Sequence, residues 1–301
     1  MSVNMKTNRN GVLITGATGY IGYNFSKYLV EKGENVHLLV RNTSNLKELG
    51  SRKHTKIHYY TGKSDSIDRI FDDFQIDYVF HLATHYDKSD NLLTLAKLNN
   101  VCVELTSQLL EAIRKQTHSI RFINVGTIWQ THDNFGNAYT IFKAFQEELV
   151  KLFSNKYNIK SLSLLLNDTY GPGDKRPKLL NQIKDSVEKN DEIHIMNPNA
   201  LIHLVHIEDV CEALFHSMSI LDAQNQYFHR YKIQAVNPIK IRDLINSIER
   251  TLGYSIRVNY GTNPLTSKSV VINEVEIIPK WEPRVDIYSG LVRFFHDKEK
   301  M

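Results

Sequence analysis

At 301 residues, with 42% hydrophobic and 23% charged side chains, the chain has the length and composition of a folded α/β protein, as one large domain or two smaller ones. No segment approaches the roughly 18 consecutive apolar residues of a membrane helix, and the polar opening "MSVNMKTNRN" has no room for the apolar stretch of a secretory signal. No membrane partner and a cytoplasmic location are therefore expected. The 37 basic and 33 acidic residues leave a formal charge of +4 without the clustered basic stripe of a nucleic-acid binder. No nucleic-acid partner is expected, and a phosphorylated small molecule suits the mild excess.

Short apolar runs alternate with longer amphipathic stretches through the first half, the pattern of βαβ units wound about a parallel sheet. The first strand, Val12–Thr15, runs into "GATGYIG" and a helix over Ile21–Lys32. A tight glycine turn between strand and helix brings backbone N–H groups and the positive helix end to a pyrophosphate. Gly16, Thr18, Gly19, Tyr20, Ile21 and Gly22 are the expected contacts. No Gly-Lys-Ser/Thr closes the loop, so it is not a Walker loop.

The second strand, Asn35–Val40, ends at Arg41, where NAD-binding folds place an acidic residue for the ribose hydroxyls. A cation there pairs instead with a 2′-phosphate, so NADPH (NADP) is expected ahead of NAD; the plainer alternative is a solvated arginine. Strands at Lys56–Tyr60, Tyr78–Leu82, Ile120–Val125 and Ser161–Leu166, with helices at Ile67–Phe74, Leu92–Arg114 and Ala138–Asn155, complete a doubly wound Rossmann-type sheet. Cys102 lies on one of these helices and Cys211 far beyond it, in no C-x-x-C pair, so both read as buried thiols. His81/His85 and His203/His206 come without an H-E-x-x-H motif, and no metal is expected.

After Leu166 the composition shifts to "NDTYGPGDKRPK" and then to mixed short elements, read as a smaller C-terminal α/β substrate-binding lobe. "HLVHIEDVCEALFHSM" is read as a strand end and helix returning to the main sheet. The expected domains are 1–166 with about 204–236 for the dinucleotide, and 167–203 with about 237–301 for the substrate.

Four Tyr-x-x-x-Lys pairs occur: Tyr23/Lys27, Tyr28/Lys32, Tyr59/Lys63 and Tyr139/Lys143. Ligands of such sheets bind outside the carboxyl ends of the strands. The first two pairs run away from that edge inside a helix, and the third spans a strand end, where four residues do not bring side chains together. Tyr139/Lys143 opens the helix after "RFINV", with both side chains on one face near the ligand edge. An ammonium beside a phenol stabilises the phenolate, so Tyr139 can pass its proton to a carbonyl oxygen as hydride arrives, while Lys143 also holds the nicotinamide ribose. Thr127, in "NVGTIWQ", is the expected hydroxyl donor to that oxygen; a turn or cap hydroxyl is its plainer reading.

These motifs together resemble an extended short-chain dehydrogenase/reductase of the NAD-dependent epimerase/dehydratase family. The likeness includes "HLAT" at His81–Thr84, "LLEA" at Leu109–Ala112, "YGPGD" at Tyr170–Asp174, "LVHIEDV" at Leu204–Val210 and "WEPRVDIYSGL" at Trp281–Leu291. It implies that Leu82, Ala83 and Thr84 pass beneath the nicotinamide. "NDTYGPGDKRPKLLN" is similar to the bacterial CDP-4-keto-3,6-dideoxyhexose reductases that make CDP-abequose and CDP-paratose. That implies an NADPH-dependent oxidoreductase acting on a nucleotide-sugar, a 4-ketoreductase serving surface polysaccharide such as lipopolysaccharide O-antigen. Asp168, Arg176, Lys178 and Arg242 are then candidate substrate contacts, and a homodimer through two long helices is implied.

The departures from the family pattern carry information. Dehydratases have Asp-Glu after the hydroxyl residue, but Ile128 and Trp129 follow Thr127 here, which disfavours elimination of water. Ile202 stands where many members place an arginine for the pyrophosphate, and the stretch from Thr127 to Tyr139 is short. Lys63 replaces an adenine-contacting Asp, with Asp65 as a stand-in. A 4-epimerase with tightly bound NAD and a non-catalytic dinucleotide sensor are the rival readings. Retention of both Tyr139 and Lys143 counts against the sensor.

Overall fold

The computed structural model describes residues 11–46, 49, 52–87, 89–131, 136–261 and 275–296. The polar N-terminal stretch lies outside them. The chain divides into two compact units: one runs through Leu165 and takes up Leu214–Tyr231, and the other comprises Leu166–Ala213 and the chain from Lys232 on.

The first unit is built on a seven-stranded parallel sheet. Its strands are β1 (Gly11–Thr15), β2 (Asn35–Arg41), β3 (Thr55–Tyr60), β4 (Tyr78–His81), β5 (Arg121–Thr127), β6 (Ser161–Leu166) and β11 (Phe228–Ile233), in the order β11-β6-β5-β4-β1-β2-β3. β1 is buried along its whole length, as a central strand covered on both faces must be. It pairs with β2 on one side and β4 on the other, so the winding reverses at β1, and Thr15 and His81 end level in register. The crevice at that reversal is where open α/β sheets bind ligands.

The crossover helices include α1 (Tyr20–Glu31), α2 (Asp65–Asp73), α3 (Leu92–Leu98), α4 (Thr106–Arg114) and α5 (Ala138–Tyr157). The expected helix over 92–114 is present but is interrupted by a π-helical segment, Asn99–Leu105, between α3 and α4. Such a widened turn alters which side chains face inward. Cys102 and Leu105 are buried within it, and Thr106 just beyond is completely buried. A core under α2 and α4 joins Leu13, Val79 and Phe122 of the sheet to Ile67, Phe71, Leu109 and Ile113.

The second unit contains β7 (Asp168–Tyr170), α6 (Leu179–Lys189), β8 (Ile193–Ile195), β9 (Leu201–Ile202), β10 (Leu204–His206), β12 (Ile239–Lys240), α8 (Ile241–Leu252), β13 (Val258–Tyr260) and α9 (Ile287–His296). Three two-stranded ladders, β7/β10, β9/β12 and β8/β13, surround a core of Tyr170, Ile183, Ile195, Leu244, Ile248, Leu291 and Phe294. Asp209 accepts the amide N–H groups of Arg284 and Val285 at 2.9 and 3.1 Å, tying the "WEPRVD" stretch to α7 (Ile207–Ala223).

The division departs from the sequence expectation at 204–213 and 232–236, which fall in the second unit. The physical reason is pairing. β10 forms its ladder with β7 rather than joining the main sheet, and the backbone of Lys232 bonds to Glu276 and Ile278. The strand that joins the main sheet is β11.

Candidate active site

Gly16 has φ 71°, and a Cβ on it would stand 2.6 Å from the Ala83 nitrogen. One on Gly22 would stand 2.3 Å from the Gly16 carbonyl oxygen. Only glycine lets the loop after β1 touch both α1 and the segment after β4. Gly19 is the N-cap of α1 and offers no side-chain cap; the first helical bond is Tyr23 N–H to the Gly19 carbonyl at 2.8 Å. The helix amides before that bond have no acceptor within the helix and lie at its positive end, with Thr18 and Gly19 exposed beside them. This cradle fits a dinucleotide pyrophosphate. Thr15 Oγ1 accepts from the Ala83 amide at 3.1 Å and bonds His81 Nδ1 at 2.7 Å, which lays Leu82–Thr84 alongside the loop. Arg41 ends β2 opposite Tyr60, exposed and without an ion pair among the described residues.

The start of α5 is fixed by two side chains. Asn137 Oδ1 accepts from the Thr140 amide at 3.2 Å, and Asp90 Oδ1 accepts from the Ala138 amide at 2.7 Å. Tyr139 follows directly, its ring edge-on to Tyr86 at 5.2 Å. One turn later Lys143 is 2% exposed and donates from Nζ to the Val125 carbonyl and to Gln146 Oε1, both at 2.7 Å. Val125 lies two residues before Thr127 on β5, so the Tyr139/Lys143 face of α5 meets the carboxyl end of that strand. Burial pushes the Lys143 ammonium below the ordinary lysine range. The rival pairs are elsewhere: Lys32 sits over the Tyr28 ring on α1, Arg52 covers Tyr23, and Tyr59 is exposed on the edge strand β3.

Thr127 closes β5, two residues beyond the expected strand end. Its amide donates to Gln130 Oε1 at 3.0 Å, and its hydroxyl oxygen accepts from the Trp129 amide at 3.4 Å. An accepting oxygen leaves the hydroxyl hydrogen for a ligand oxygen. Gln130 folds back because position 126 is glycine; a Cβ there would stand 2.5 Å from Gln130 Oε1. Gln130 Nε2 in turn donates to Glu147 Oε2, which also accepts from Ser163 Oγ, while Glu147 Oε1 accepts from Arg230 of β11. Ile128 is buried and Trp129 is 45% exposed, so no carboxylate follows Thr127 in the turn Ile128–Thr131.

A model of the family described as "NAD dependent epimerase/dehydratase family" matches residues 12–229, which span the glycine loop and the Tyr139/Lys143 helix and reach the start of β11. The chain belongs to that family. Among curated relatives, it is 28% identical over 217 residues to a CDP-abequose synthase of Yersinia pseudotuberculosis, covering 69% of this chain and 73% of that one. A CDP-abequose synthase of Salmonella typhimurium is 22% identical, over 93% of this chain and 95% of its own. Among solved structures, a Thermotoga maritima UDP-glucose 4-epimerase superposes with a TM-score of 0.77 at 20% identity, covering 95% of this chain and 98% of that one. A Bacillus anthracis dTDP-glucose 4,6-dehydratase in complex with NAD gives 0.77 at 17%, covering 97% of each. At these identities the solved structures establish the shared fold. The expectation that ranked NAD second draws no support from such relatives, several of which are described with NAD.

The epimerase/dehydratase scaffold of this chain carries its candidate substrate contacts in the second unit. Lys178 Nζ pairs with Asp168 Oδ1 at 3.0 Å, and both line a cavity of about 110 Å³ with Thr169, Tyr170, Ile202 and Leu204. Arg176 donates to both carboxylate oxygens of the buried Asp174 at 2.7 Å and to the Thr169 carbonyl at 2.8 Å, which commits its guanidinium to the fold of the loop. Arg242 stacks on Tyr260, 4.2 Å from the ring centre, and does not line that cavity. Ile202 is part of the apolar surroundings of the second core and brings no charge.

Sequence reading missed Tyr86, Asp90, Gln130, Gln146 and Glu147. A glutamine and glutamate three and four residues after a candidate lysine share its helical face, and that spacing was the available signal.

Proposed function

We propose that the enzyme reduces the 4-keto group of a nucleotide-linked deoxyhexose, CDP-linked by likeness to the relatives named CDP-abequose synthase, with NADPH as reductant. The observation that carries this reading is the pairing of an intact Tyr139/Lys143 helix start with an apolar Ile128–Trp129 after Thr127. Proton donation is provided for and elimination of water is not. A bound nicotinamide supplies the hydride. Thr127 donates its hydroxyl hydrogen to the substrate carbonyl oxygen, Tyr139 protonates that oxygen, and the buried Lys143 cation stabilises the phenolate left behind. Asp168 and Lys178, facing one cavity of the second unit, are the proposed sugar or nucleotide contacts. The second unit is accordingly proposed as the substrate lobe. The product would serve surface polysaccharide synthesis in the cytoplasm; no helix among the described residues is long and apolar enough to cross a membrane.

The exposed cation Arg41 at the end of β2 supports NADPH over NADH. Arg41→Ala should weaken NADPH far more than NADH, and equal losses in a fluorescence titration would remove that preference. The main test is a panel of CDP-, dTDP-, UDP- and GDP-linked 4-keto sugars assayed for NADPH oxidation. Stoichiometric oxidation with one member is expected, and none with any would overturn the reading.

A second reading, a nucleotide-sugar 4-epimerase with retained NAD, is favoured by the solved epimerases that share the fold. It predicts NAD carried through purification and interconversion of 4-hydroxy epimers without net oxidation.

We also propose a homodimer. α5 exposes Ile141, Phe145 and Leu152 by about half each, with Leu92 and Leu93 exposed on α3, a neighbouring helix. A second copy of this face is the proposed cover.

A further inference from the structure

The side chains behind Lys143 form a continuous buried chain. Lys143 Nζ donates to Gln146 Oε1; Gln146 Nε2 donates to Thr106 Oγ1 at 3.0 Å; Thr106 Oγ1 bonds His81 Nε2 at 2.9 Å; and His81 Nδ1 bonds Thr15 Oγ1. Gln146, Thr106 and His81 are completely buried. In one tautomer every direction closes: Thr15 accepts the Ala83 amide and gives its own hydrogen to His81 Nδ1. His81 Nε2–H then donates to Thr106, whose hydroxyl donates to the Val101 carbonyl at 3.3 Å. Every group is satisfied when His81 is neutral, and burial, with Lys143 nearby, pushes its pKa down to about 3. Lys143 has only hydrogens to offer, so the Gln146 amide turns its oxygen to Nζ and its N–H to Thr106.

We propose that Gln146 is a positioning residue for Lys143. Its carbonyl oxygen, oriented through Thr106 and His81, anchors the ammonium without neutralising it, so that the third N–H and the full positive charge face the bound dinucleotide and Tyr139. Both acceptors of Lys143, the Val125 carbonyl and the Gln146 amide, are neutral. A carboxylate at 146 would hold the ammonium equally well but would cancel its charge and raise its pKa; an apolar side chain would withdraw a bond to the charged form and lower it. The titratable groups around Lys143 are Cys102 from the π-helical segment, His81 from β4, and Tyr139 and Glu147 from α5. His81 stays neutral, the Cys102 thiol is pushed up by burial, and Glu147 is engaged by Arg230, Gln130 and Ser163.

The inference rests on the proposal that Lys143 holds the dinucleotide, and not on which sugar is reduced. The experiment is therefore the pH dependence of NADPH affinity, followed by nucleotide fluorescence without any sugar, for the wild type, Gln146→Glu, Gln146→Met and Lys143→Met. Affinity should weaken as pH rises through the Lys143 titration, and Lys143→Met should lose that limb. Gln146→Glu should move the limb up by about 1 to 3 pH units, and Gln146→Met should move it down. A side chain that only fills space would change melting temperature and move the limb in neither variant. A limb at one pH in the wild type and in every Gln146 variant that circular dichroism shows to be folded would overturn the proposal. A wild type with no basic limb would instead overturn the role of Lys143 itself. Failure of the keto-sugar panel would leave both results standing.

Discussion

Tyr139 owes its place to neighbours that are not near it in sequence. Asp90, from the loop after β4, takes the Ala138 amide, and Tyr86 from the same loop meets the Tyr139 ring edge-on. Removing only its hydroxyl is therefore a clean test. Tyr139→Phe should cut turnover by about 10²–10⁴-fold, the usual worth of a positioned acid, with dinucleotide affinity largely kept. Turnover within a few-fold of wild type would exclude Tyr139 as the proton donor. His81 adds a stability term of definite sign. Its folded pKa of about 3 lies below the unfolded value of 6.5, so the unfolded chain binds the proton more readily. The stabilisation is complete above about pH 6.5 and is lost as pH falls toward 3. His37, buried between His58 and Phe74 with its pKa pushed down to about 4 by burial, adds in the same direction. Melting temperature should fall steadily below pH 6.5, whereas a flat profile between pH 6.5 and 4 would contradict the buried neutral imidazoles.

At the scale of elements, three junctions define the site: β1 to α1, the end of β4, and β5 to α5. The first is legible in the sequence because the glycines respond to local geometry. The Gly16 loop needs a positive φ, and the approach of Gly22 to the Gly16 carbonyl leaves no room for a methyl group. The third junction depends on a cap. Asn137 opens α5 in extended conformation and accepts the Thr140 amide, so Asn137→Ala should cost about 0.5–2 kcal/mol of stability. It should also lower kcat more than dinucleotide affinity, because Tyr139 is two residues away. Chemical denaturation and steady-state kinetics on one preparation would check both. The π-helical segment inside the expected helix over 92–114 had no comparable signature: its residues "NNVCVEL" contain neither Pro nor Gly, and it is the tertiary context that settles Cys102 and Leu105 inward.

The whole molecule decides what the elements cannot. Arg230 on β11 reaches Glu147 on α5, which holds Gln130 and, through it, the backbone at Thr127. A strand about a hundred residues later in the chain thus supports the proposed hydroxyl donor, and no local pattern could have announced it. The exposed apolar stripe on α5 also belongs to this scale. Phe145→Glu should convert the proposed dimer to monomer in light scattering after size exclusion. A wild type that is monomeric at micromolar concentration would remove the proposal.

The sequence by itself determined the alternation of strand and helix, the glycine loop, Arg41 at the end of β2 and the place of Tyr139/Lys143, alone among four equal spacings, on the helix that follows β5. Each is a short-range consequence of chain geometry or of the rule that ligands sit at strand carboxyl ends. Only the tertiary structure decided that β10 pairs with β7 rather than with the main sheet, that Arg176 is spent on Asp174, and that Lys143 rests on neutral acceptors supported by Gln146, Thr106 and His81. These outcomes turn on which polar groups find partners once water is excluded, and partners far apart in sequence meet only when the sheet has formed.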